Sequence, residues 1–190
     1  MTENRPQKWQ VLSSEYLSRK PWFTVRREAL ELPNGNRIPD YYVLEYPDWV
    51  NVIAVTKAGR LLFVRQYRHG LGEVGVELCA GVREKSDPSP EASARRELLE
   101  ETGYGGGEWR QFMVLSPNPA THTNLTYTFL AQGVEPVAAP NPEATEDLSL
   151  ELLTPGEVKE LLRRDGVRQA LMAAALWKYL ALEPQAAPKS

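Results

Sequence analysis

Apolar and polar residues form short segments over most of the chain, and glycine, proline and asparagine separate these segments. Segments of this length that are rich in β-branched and aromatic residues predict strands, and the clusters between them predict turns. Residues 1–20 are expected to be irregular or weakly ordered. Strands are predicted at residues 23–32, 41–46, 50–56, 61–66, 76–82, 109–115, 126–131 and 148–153.

Turn sequences join two pairs of these strands into predicted β-hairpins. Residues 33–36 (PNGN) join the first pair, and residues 57–60 (KAGR) join the second. The first hairpin gives the chain a strand-rich N-terminal annex, which we assign to residues 1–48. Because an isolated two-stranded hairpin is marginal in water, this one needs a surface to pack on, either on its own domain or on a partner subunit.

A well-capped helix is predicted near the middle of the chain. Ser89 suits the N-cap position, Pro90 suits the first helical position, and Gly103 suits the C′ position. Ala94 and Leu98 would form the apolar stripe of this helix.

A second helical region is predicted toward the C-terminus. Residues 154–157 (TPGE) resemble a capping box and open a helix that pauses near Asp165-Gly166 and resumes to about Leu182. Residues 184–190 form a tail that is expected to be disordered. The main domain is therefore expected over residues 49–183, in the α+β class, with a mixed sheet and helices on its faces.

The composition favours one domain with a small extension and excludes some partners. The chain has 190 residues, 42% of them hydrophobic, and its net charge of −3 gives no support for binding to nucleic acid or membranes. Cys79 is the one cysteine, so an internal disulfide is excluded. The first residues lack the apolar core of a signal peptide, and the longest apolar run, Leu171–Trp177, is far too short to span a bilayer. We therefore expect a cytoplasmic location.

Three carboxylates on the predicted central helix point to a cation. Glu97, Glu100 and Glu101 stand at i, i+3 and i+4, which places them on one side of the helix, next to the apolar stripe. Two carboxylates ~4 Å apart repel by about 4 kcal/mol at an effective dielectric constant near 20. A divalent cation would convert this repulsion into binding, and Mg²⁺ or Mn²⁺ prefers oxygen ligands.

The segment from Gly81 to Tyr104 resembles a Nudix box, which consists of a glycine, a glutamate and then Arg-Glu-apolar-x-Glu-Glu-x-Gly-apolar. The half from Arg96 to Tyr104 matches throughout. The first half departs, because its spacing is one residue longer and Asp87 or Pro88 stands where the family has a glutamate that steadies the arginine. Asp87 or Glu84 is expected to replace that glutamate. The glycine of the box is expected to mark a bend in the backbone.

The resemblance implies the Nudix α/β/α sandwich with a mixed sheet and an N-terminal β-hairpin annex. It also implies metal-dependent hydrolysis of a nucleoside diphosphate that is linked to another group. Residues 77–81 (ELCAG), Pro119 and the strand that ends at Arg68 are similar to features of the ADP-ribose and nucleotide-sugar pyrophosphatase subgroup. That subgroup implies a homodimer in which the annex completes the partner's site.

The same resemblance assigns roles to individual residues. Metal ligands are expected from Glu97, Glu101 and the Ala80 carbonyl, with Mg²⁺ as the cation and Mn²⁺ as a substitute. Glu100 is a further ligand or a partner of Arg96. Substrate contacts are expected from Arg68 and Pro119, base stacking from Trp22, Tyr41 or Trp49, and a general base from Glu143 or Glu146. For each of these arginine, aromatic and loop residues, a purely structural role is the alternative.

Two other functions remain open at this point. One is a Nudix enzyme that acts on another substrate, such as a dinucleoside polyphosphate or NADH. The other is a non-catalytic Nudix-like module that senses a nucleotide, although a sensor would not need three carboxylates. The sequence does not identify the linked group, the nucleobase, the number of metal ions or the general base.

Overall fold

A computed structural model describes residues 5–182 of the chain. The predicted tail, residues 184–190, lies outside the described residues. The chain divides into two compact units, Met1–Pro47 with Ser116–Asn124, and Asp48–Leu115 with Leu125–Ser190.

The first unit contains a three-stranded antiparallel sheet in the order β1 (Gln10–Lys20), β2 (Phe23–Glu31) and β3 (Arg37–Glu45). β2 and β3 form the predicted hairpin, but the prediction of irregular structure over residues 1–20 was wrong for residues 10–20, which form a third strand paired with β2. Nearly every residue of β1 is exposed, so the strand lacks the alternation of buried and exposed positions that marks a strand in sequence. Its pairing with β2 supplies the order that its own residues do not signal.

The segment Ser116–Asn124 belongs to the first unit although it lies between two strands of the second. The Leu44 amide donates to the Thr121 carbonyl at 2.8 Å, and the Thr123 amide donates to the Leu44 carbonyl at 3.2 Å. The Tyr41 hydroxyl donates to the Ala120 carbonyl. The segment thus lies beside the end of β3, where Leu44 and His122 form an isolated parallel bridge.

The second unit contains an eight-stranded mixed sheet. Its strands are β4 (Trp49–Thr56), β5 (Leu61–Arg68), β6 (Glu73–Glu77), β7 (Cys79–Val82), β8 (Tyr104–Gly105), β9 (Glu108–Leu115), β10 (Thr126–Pro136) and β11 (Leu148–Leu153). The central strands follow the order β11-β5-β4-β10-β8. β10 runs parallel to β4, and the other pairs in this sheet are antiparallel. The predicted strand at residues 76–82 is two strands, because β6 pairs with β5 and β7 pairs with β4.

Helices cover both faces of this sheet and create two hydrophobic clusters. Val50, Val52 and Ala54 of β4 pack in the cluster that contains residues of α1 (Pro90–Thr102). Ile53 and Val55 pack in the other cluster, with α2 (Pro155–Arg163) and α3 (Ala170–Leu182). Burial on both faces explains the nearly continuous apolar run of β4. The α+β class and the mixed sheet between helices are as predicted.

Local signals placed the ends of the helices correctly. The Thr154 hydroxyl accepts from the Glu157 amide, and the Glu157 side chain accepts from the Thr154 amide, so the capping box is complete.

No helix in the described part of the chain has the length and apolar character needed to cross a membrane.

Candidate active site

The helix α1 is fixed at both ends by the residues that the sequence indicated. The Ser89 hydroxyl accepts from the Ala92 amide at 3.1 Å, and Gly103 adopts a left-handed conformation with φ of 72°. Ala94 and Leu98 are fully buried in the cluster below the helix. This packing fixes the rotation of α1 and turns Glu97 and Glu101 toward β7.

Gly81 is a glycine because a carboxylate lies against it. A Cβ atom on Gly81 would overlap the carboxylate of Glu97, so any other residue at this position of β7 would displace that side chain. Gly81 has no positive φ, and it pairs in register with Val50 of β4. The expected bend in the backbone was therefore wrong, and close approach of Glu97 explains the glycine.

Glu101 is the most deeply buried of the carboxylates, with a relative exposure of 1%. Burial raises the pKa of Glu101 to about 8. A hydrogen bond with Cys79 acts in the opposite direction and lowers this pKa, but its effect is smaller. The Ala80 amide also donates to Glu101 Oε2 at 3.3 Å. Cys79 is itself buried, and burial raises the pKa of its thiol.

Glu97 lies beside Glu101 and shares its environment. Burial raises the pKa of Glu97 to about 7, although the charge of Arg96 opposes this shift. The charge of Glu97 in turn raises the pKa of Glu101. Glu100 differs, because 39% of its side chain is exposed. Two buried carboxylates and one partly exposed carboxylate therefore lie on the same side of α1.

Arg96 holds these carboxylates in place. Its Nη2 atom lies 2.9 Å from Glu97 Oε1, and its Nη1 atom donates to Glu100 Oε2 at 2.8 Å. Nη2 also donates to the Val82 carbonyl at 3.1 Å, which ties α1 to the end of β7. A single guanidinium thus sets the relative positions of Glu97, Glu100 and the strand.

Asp87 fixes Arg96 in turn. The Arg96 Nε and Nη2 atoms donate to the two Asp87 carboxylate oxygens at 3.4 and 3.2 Å. Partial burial opposes ionisation of Asp87, but hydrogen bonds from Arg96 and Ser93 lower its pKa overall. Glu84 reaches Arg96 only at 4.0 Å. Of the two acidic residues that were expected to replace the glutamate of the box, Asp87 makes the hydrogen bonds.

Arg68 lies at the end of β5 and forms a two-pronged ion pair with Glu77. Its Nε and Nη2 atoms donate to Glu77 Oε1 and Oε2 at 2.9 and 2.7 Å. This hydrogen bonding raises the pKa of Arg68, and the charges of Glu101 and Glu146 add to the shift. Arg68 is therefore within electrostatic reach of the buried carboxylates. No role was predicted for Glu77, although the run ELCAG, which begins with it, indicated the segment.

The two candidate bases in the β10–β11 loop differ in their surroundings. Glu146 is half-buried, and its charge raises the pKa of both Glu97 and Glu101. Glu143 is exposed, and its amide donates to Glu146 Oε2 at 2.9 Å. The structure thus places the Glu146 charge near the carboxylate pair, and Glu143 contributes a backbone contact to Glu146.

The predicted substrate contacts fall in different units. Trp22 is 58% exposed at the turn between β1 and β2, where it adopts a positive φ of 59°. Pro119 and Tyr41 also belong to the first unit. Trp49 begins β4 of the second unit, which also contains Arg68 and every carboxylate described above.

Two of these carboxylates have the chemistry of ligands for a divalent cation. Over residues 5–182, no three or more His, Cys, Asp or Glu side chains are grouped so as to hold a metal ion by themselves. Mg²⁺, however, usually keeps several waters and takes one or two carboxylates together with substrate phosphates. Glu97 and Glu101 match this pattern, because burial disfavours their charged forms and a cation would restore them.

Comparisons with families of known proteins divide the chain near residue 45, close to the boundary between the two compact units. A family model described as the nucleoside diphosphate sugar hydrolase N-terminal domain matches residues 9–44. A second model, described as the NUDIX domain, matches residues 45–175.

Individual relatives cover most of the chain. An ADP-ribose pyrophosphatase of Bacillus subtilis (strain 168) is 33% identical over 158 residues, which cover 82% of this chain and 83% of that protein. A GDP-mannose pyrophosphatase of Klebsiella pneumoniae subsp. pneumoniae is 28% identical over 153 residues, which cover 75% and 76%. A crystal structure of an ADP compounds hydrolase superimposes with a TM-score of 0.80 at 25% identity and covers 92% of this chain and 93% of that one.

Proposed function

This chain belongs to the Nudix family, and from that premise we propose that it is a magnesium-dependent pyrophosphohydrolase whose substrate is ADP-ribose or a nucleotide sugar. The reaction class itself follows from the family and from its relatives: the protein hydrolyses a nucleoside diphosphate that is linked to another group. A non-catalytic nucleotide sensor is therefore not retained. One observation carries the finer proposal, namely the two buried carboxylates of α1, Glu97 and Glu101, whose raised pKa values favour a bound cation.

The residues that would hold Mg²⁺ are Glu97, Glu101 and the carbonyl of Ala80, with Glu100 as a further ligand. Mn²⁺ is a possible substitute, since it prefers the same oxygen ligands. When bound, the cation would neutralise the diphosphate, lower the pKa of a bound water and stabilise the leaving oxygen.

The protein residues around this site have separate tasks in the proposal. Arg96 keeps Glu97 and Glu100 oriented, and Asp87 keeps Arg96 oriented. Arg68 contacts a phosphate of the substrate, since an arginine is suited to phosphate geometry. Glu146 accepts a proton from the attacking water as the new bond to phosphorus forms and the bridging P–O bond breaks. The products are a nucleoside monophosphate and a phosphorylated second product.

ADP-ribose is our first candidate substrate, and GDP-mannose is the second. The relative that is 33% identical over 82% of this chain is named for ADP-ribose, and the relative named for GDP-mannose is 28% identical over 75%. Pro119 and the aromatic residues Trp22, Tyr41 and Trp49 are proposed to contact the base or the linked group.

A homodimer is part of the proposal, with residues 1–48 as the annex that forms it and residues 49–183 as the hydrolase domain. The first unit exposes an unusual number of large apolar side chains, as expected for a surface that a second copy covers. They are Trp9, Val11, Leu12, Tyr16, Leu17, Trp22, Phe23 and Tyr42.

A cytoplasmic location is a further part of the proposal, and cell fractionation would test it.

Substrate profiling with chromatography and mass detection tests the proposed function. Purified protein with Mg²⁺ is incubated with ADP-ribose, GDP-mannose, NADH, a dinucleoside polyphosphate and nucleoside triphosphates. We expect AMP and ribose 5-phosphate from ADP-ribose, or GMP and mannose 1-phosphate from GDP-mannose. Rapid hydrolysis of triphosphates, with both proposed substrates left intact, would reject the substrate class. Equal turnover with Mg²⁺ and with excess chelator would reject the proposal that the reaction depends on a metal ion.

A further inference from the structure

The C-terminal end of α1 is covered by a short segment of the β10–β11 loop. A helix leaves its last four carbonyls without partners inside the helix. Here the Gly103 carbonyl accepts from the amides of Val137 and Ala138 at 2.9 and 3.1 Å, and the Glu100 carbonyl accepts from the Asn141 amide at 2.8 Å. The segment therefore crosses the end of the same helix that carries Glu97 and Glu101.

The contact between this segment and the helix is close and depends on glycine. A Cβ atom on Gly103 would overlap the carbonyl oxygen of Ala138, in addition to the strain that φ of 72° would impose on other residues. The backbones of the segment and the helix end thus pack directly against each other. Gly103 serves both the helix cap and the docking of this segment.

Prolines make the segment stiff. Asn141 stands between Pro140 and Pro142, so its amide is the one backbone N–H in this tripeptide, and this amide bonds to Glu100. Proline fixes its own φ and restricts the residue before it, so few conformations compete with the docked one. The segment is exposed, so hydrophobic burial does not account for its position.

The segment leads directly into a turn that immobilises Glu146. The Glu146 amide donates to the Glu143 carbonyl at 2.9 Å, and the Glu143 amide donates to Glu146 Oε2 at 2.9 Å. The Glu146 carboxylate is thereby held by its own turn, while the turn is held by α1 through Asn141. The hydrogen bond at Asn141 and the two bonds of the turn, joined by the backbone through Pro142, connect the end of the carboxylate helix to Glu146.

We propose that residues 137–142 form a strap that is fixed to the C-terminal end of α1 and positions the Glu146 carboxylate for proton transfer from the attacking water. The proposal rests on the proposed function, in which Glu146 is the base. Asn141 and Gly103 act as positioning residues, since their contacts in the strap reach the reaction through Glu146. The helix that carries the carboxylate pair thus also sets the distance from that pair to the base.

The test loosens the strap without removing any of its hydrogen-bonding groups. The Pro140→Gly/Pro142→Gly variant should lower kcat about tenfold with KM changed less than about twofold, because misplacement of a base costs rate and not binding. In a Glu146→Gln background the same double substitution should have no further effect on kcat. Pro155→Gly, which loosens the start of α2 in the hydrophobic cluster that does not contain α1, is the matched control and should leave kcat unchanged.

A merely structural role would give a different result. If the double substitution lowers kcat by the same factor with Glu146 and with Gln at that position, the strap does not act through Glu146 and the proposal fails. An unchanged kcat in the double variant would also overturn it. Thermal unfolding of each variant separates loss of fold from loss of positioning.

Amide hydrogen exchange gives a readout that needs no substrate. The amides of Val137 and Asn141 should exchange slowly in the wild-type protein and faster in the double variant. Rapid exchange of both amides in the wild-type protein would overturn the strap whatever the activity. If the wild-type protein hydrolyses neither ADP-ribose nor a nucleotide sugar, the proposed function fails, and the exchange rates alone decide whether the strap exists.

Discussion

Replacing Glu101 by glutamine should stabilise the metal-free protein in alkaline but not in acidic solution. Burial raises the pKa of Glu101 from 4.5 to about 8. Between these values the unfolded chain has released the proton that the folded protein still holds. The free energy of unfolding therefore falls as the pH rises from about 4.5 to about 8, and it changes little further above that range. Glutamine is nearly isosteric and stays neutral at every pH, so the variant lacks this decline.

The size of the effect follows from the two pKa values. At 1.36 kcal/mol per pH unit, the full interval corresponds to about 5 kcal/mol, and the part between pH 5.5 and 8.5 corresponds to about 3 kcal/mol. For a domain of this size, 3 kcal/mol raises the melting temperature by roughly 6–12 °C. A buried amide can also leave a donor unpaired, at a cost of about 1–3 kcal/mol. That cost is the same at both pH values and cancels when the two are compared.

Urea denaturation in EDTA at pH 5.5 and 8.5 measures this difference directly. The free energy of unfolding of the Glu101→Gln variant minus that of the wild-type protein should increase by about 3 kcal/mol from the lower to the higher pH. Glu108→Gln is the control, since it removes a glutamate that is exposed at the start of β9. Its free energy of unfolding should differ from that of the wild-type protein by the same amount at both pH values. A difference for Glu101→Gln that does not change with pH would refute the argument that burial keeps this carboxyl protonated.

Four further predictions concern the metal, the glycine of β7 and the annex. With saturating Mg²⁺, Glu101→Gln should lower kcat at least ~10²-fold while the fold is retained, since an amide is a poor ligand; near-normal kcat would remove Glu101 from the metal site. Several millimolar Mg²⁺ or Mn²⁺ should raise the melting temperature more than NaCl of equal ionic strength, and more at pH 8.5 than at pH 6, because the cation displaces protons; equal shifts would indicate screening alone. Gly81→Ala should destabilise the protein by about 1–3 kcal/mol and reduce activity, because the added methyl displaces Glu97; a variant with normal activity would show that Glu97 can move without loss. Full-length protein should scatter light as a dimer, whereas a chain that begins near Asp48 should lose both dimerisation and activity; a mass near 21 kDa for the full chain would refute the dimer, and an active truncated chain would show that the annex completes no site.

The ends of the helices could be predicted because their signals are local. Ser89, Pro90 and Gly103 each act within one helical turn, and so does the capping box at Thr154. The carboxylate spacing of α1 is likewise a property of the helix alone, and with Ala94 and Leu98 it indicated which side of the helix is buried. The family resemblance followed from these same residues.

β1 could not be predicted because both of its faces are exposed, so its sequence carries no period to detect. The role of Gly81 was also misjudged. A glycine is favoured at this position because the side chain of Glu97, sixteen residues later in the sequence and on another element, lies against it. No local rule reveals such an approach.

The carboxylate helix, its caps, most strands of the main sheet and the class of chemistry could be predicted from the sequence, because these depend on neighbours along the chain. Packing establishes that Glu97 and Glu101 are buried while Glu100 is partly exposed, that Asp87 rather than Glu84 fixes Arg96, and that the Glu146 charge acts on the carboxylate pair. These properties depend on desolvation and on charges brought together from distant segments. Both are set by how the helix, the strands and the loop pack against one another.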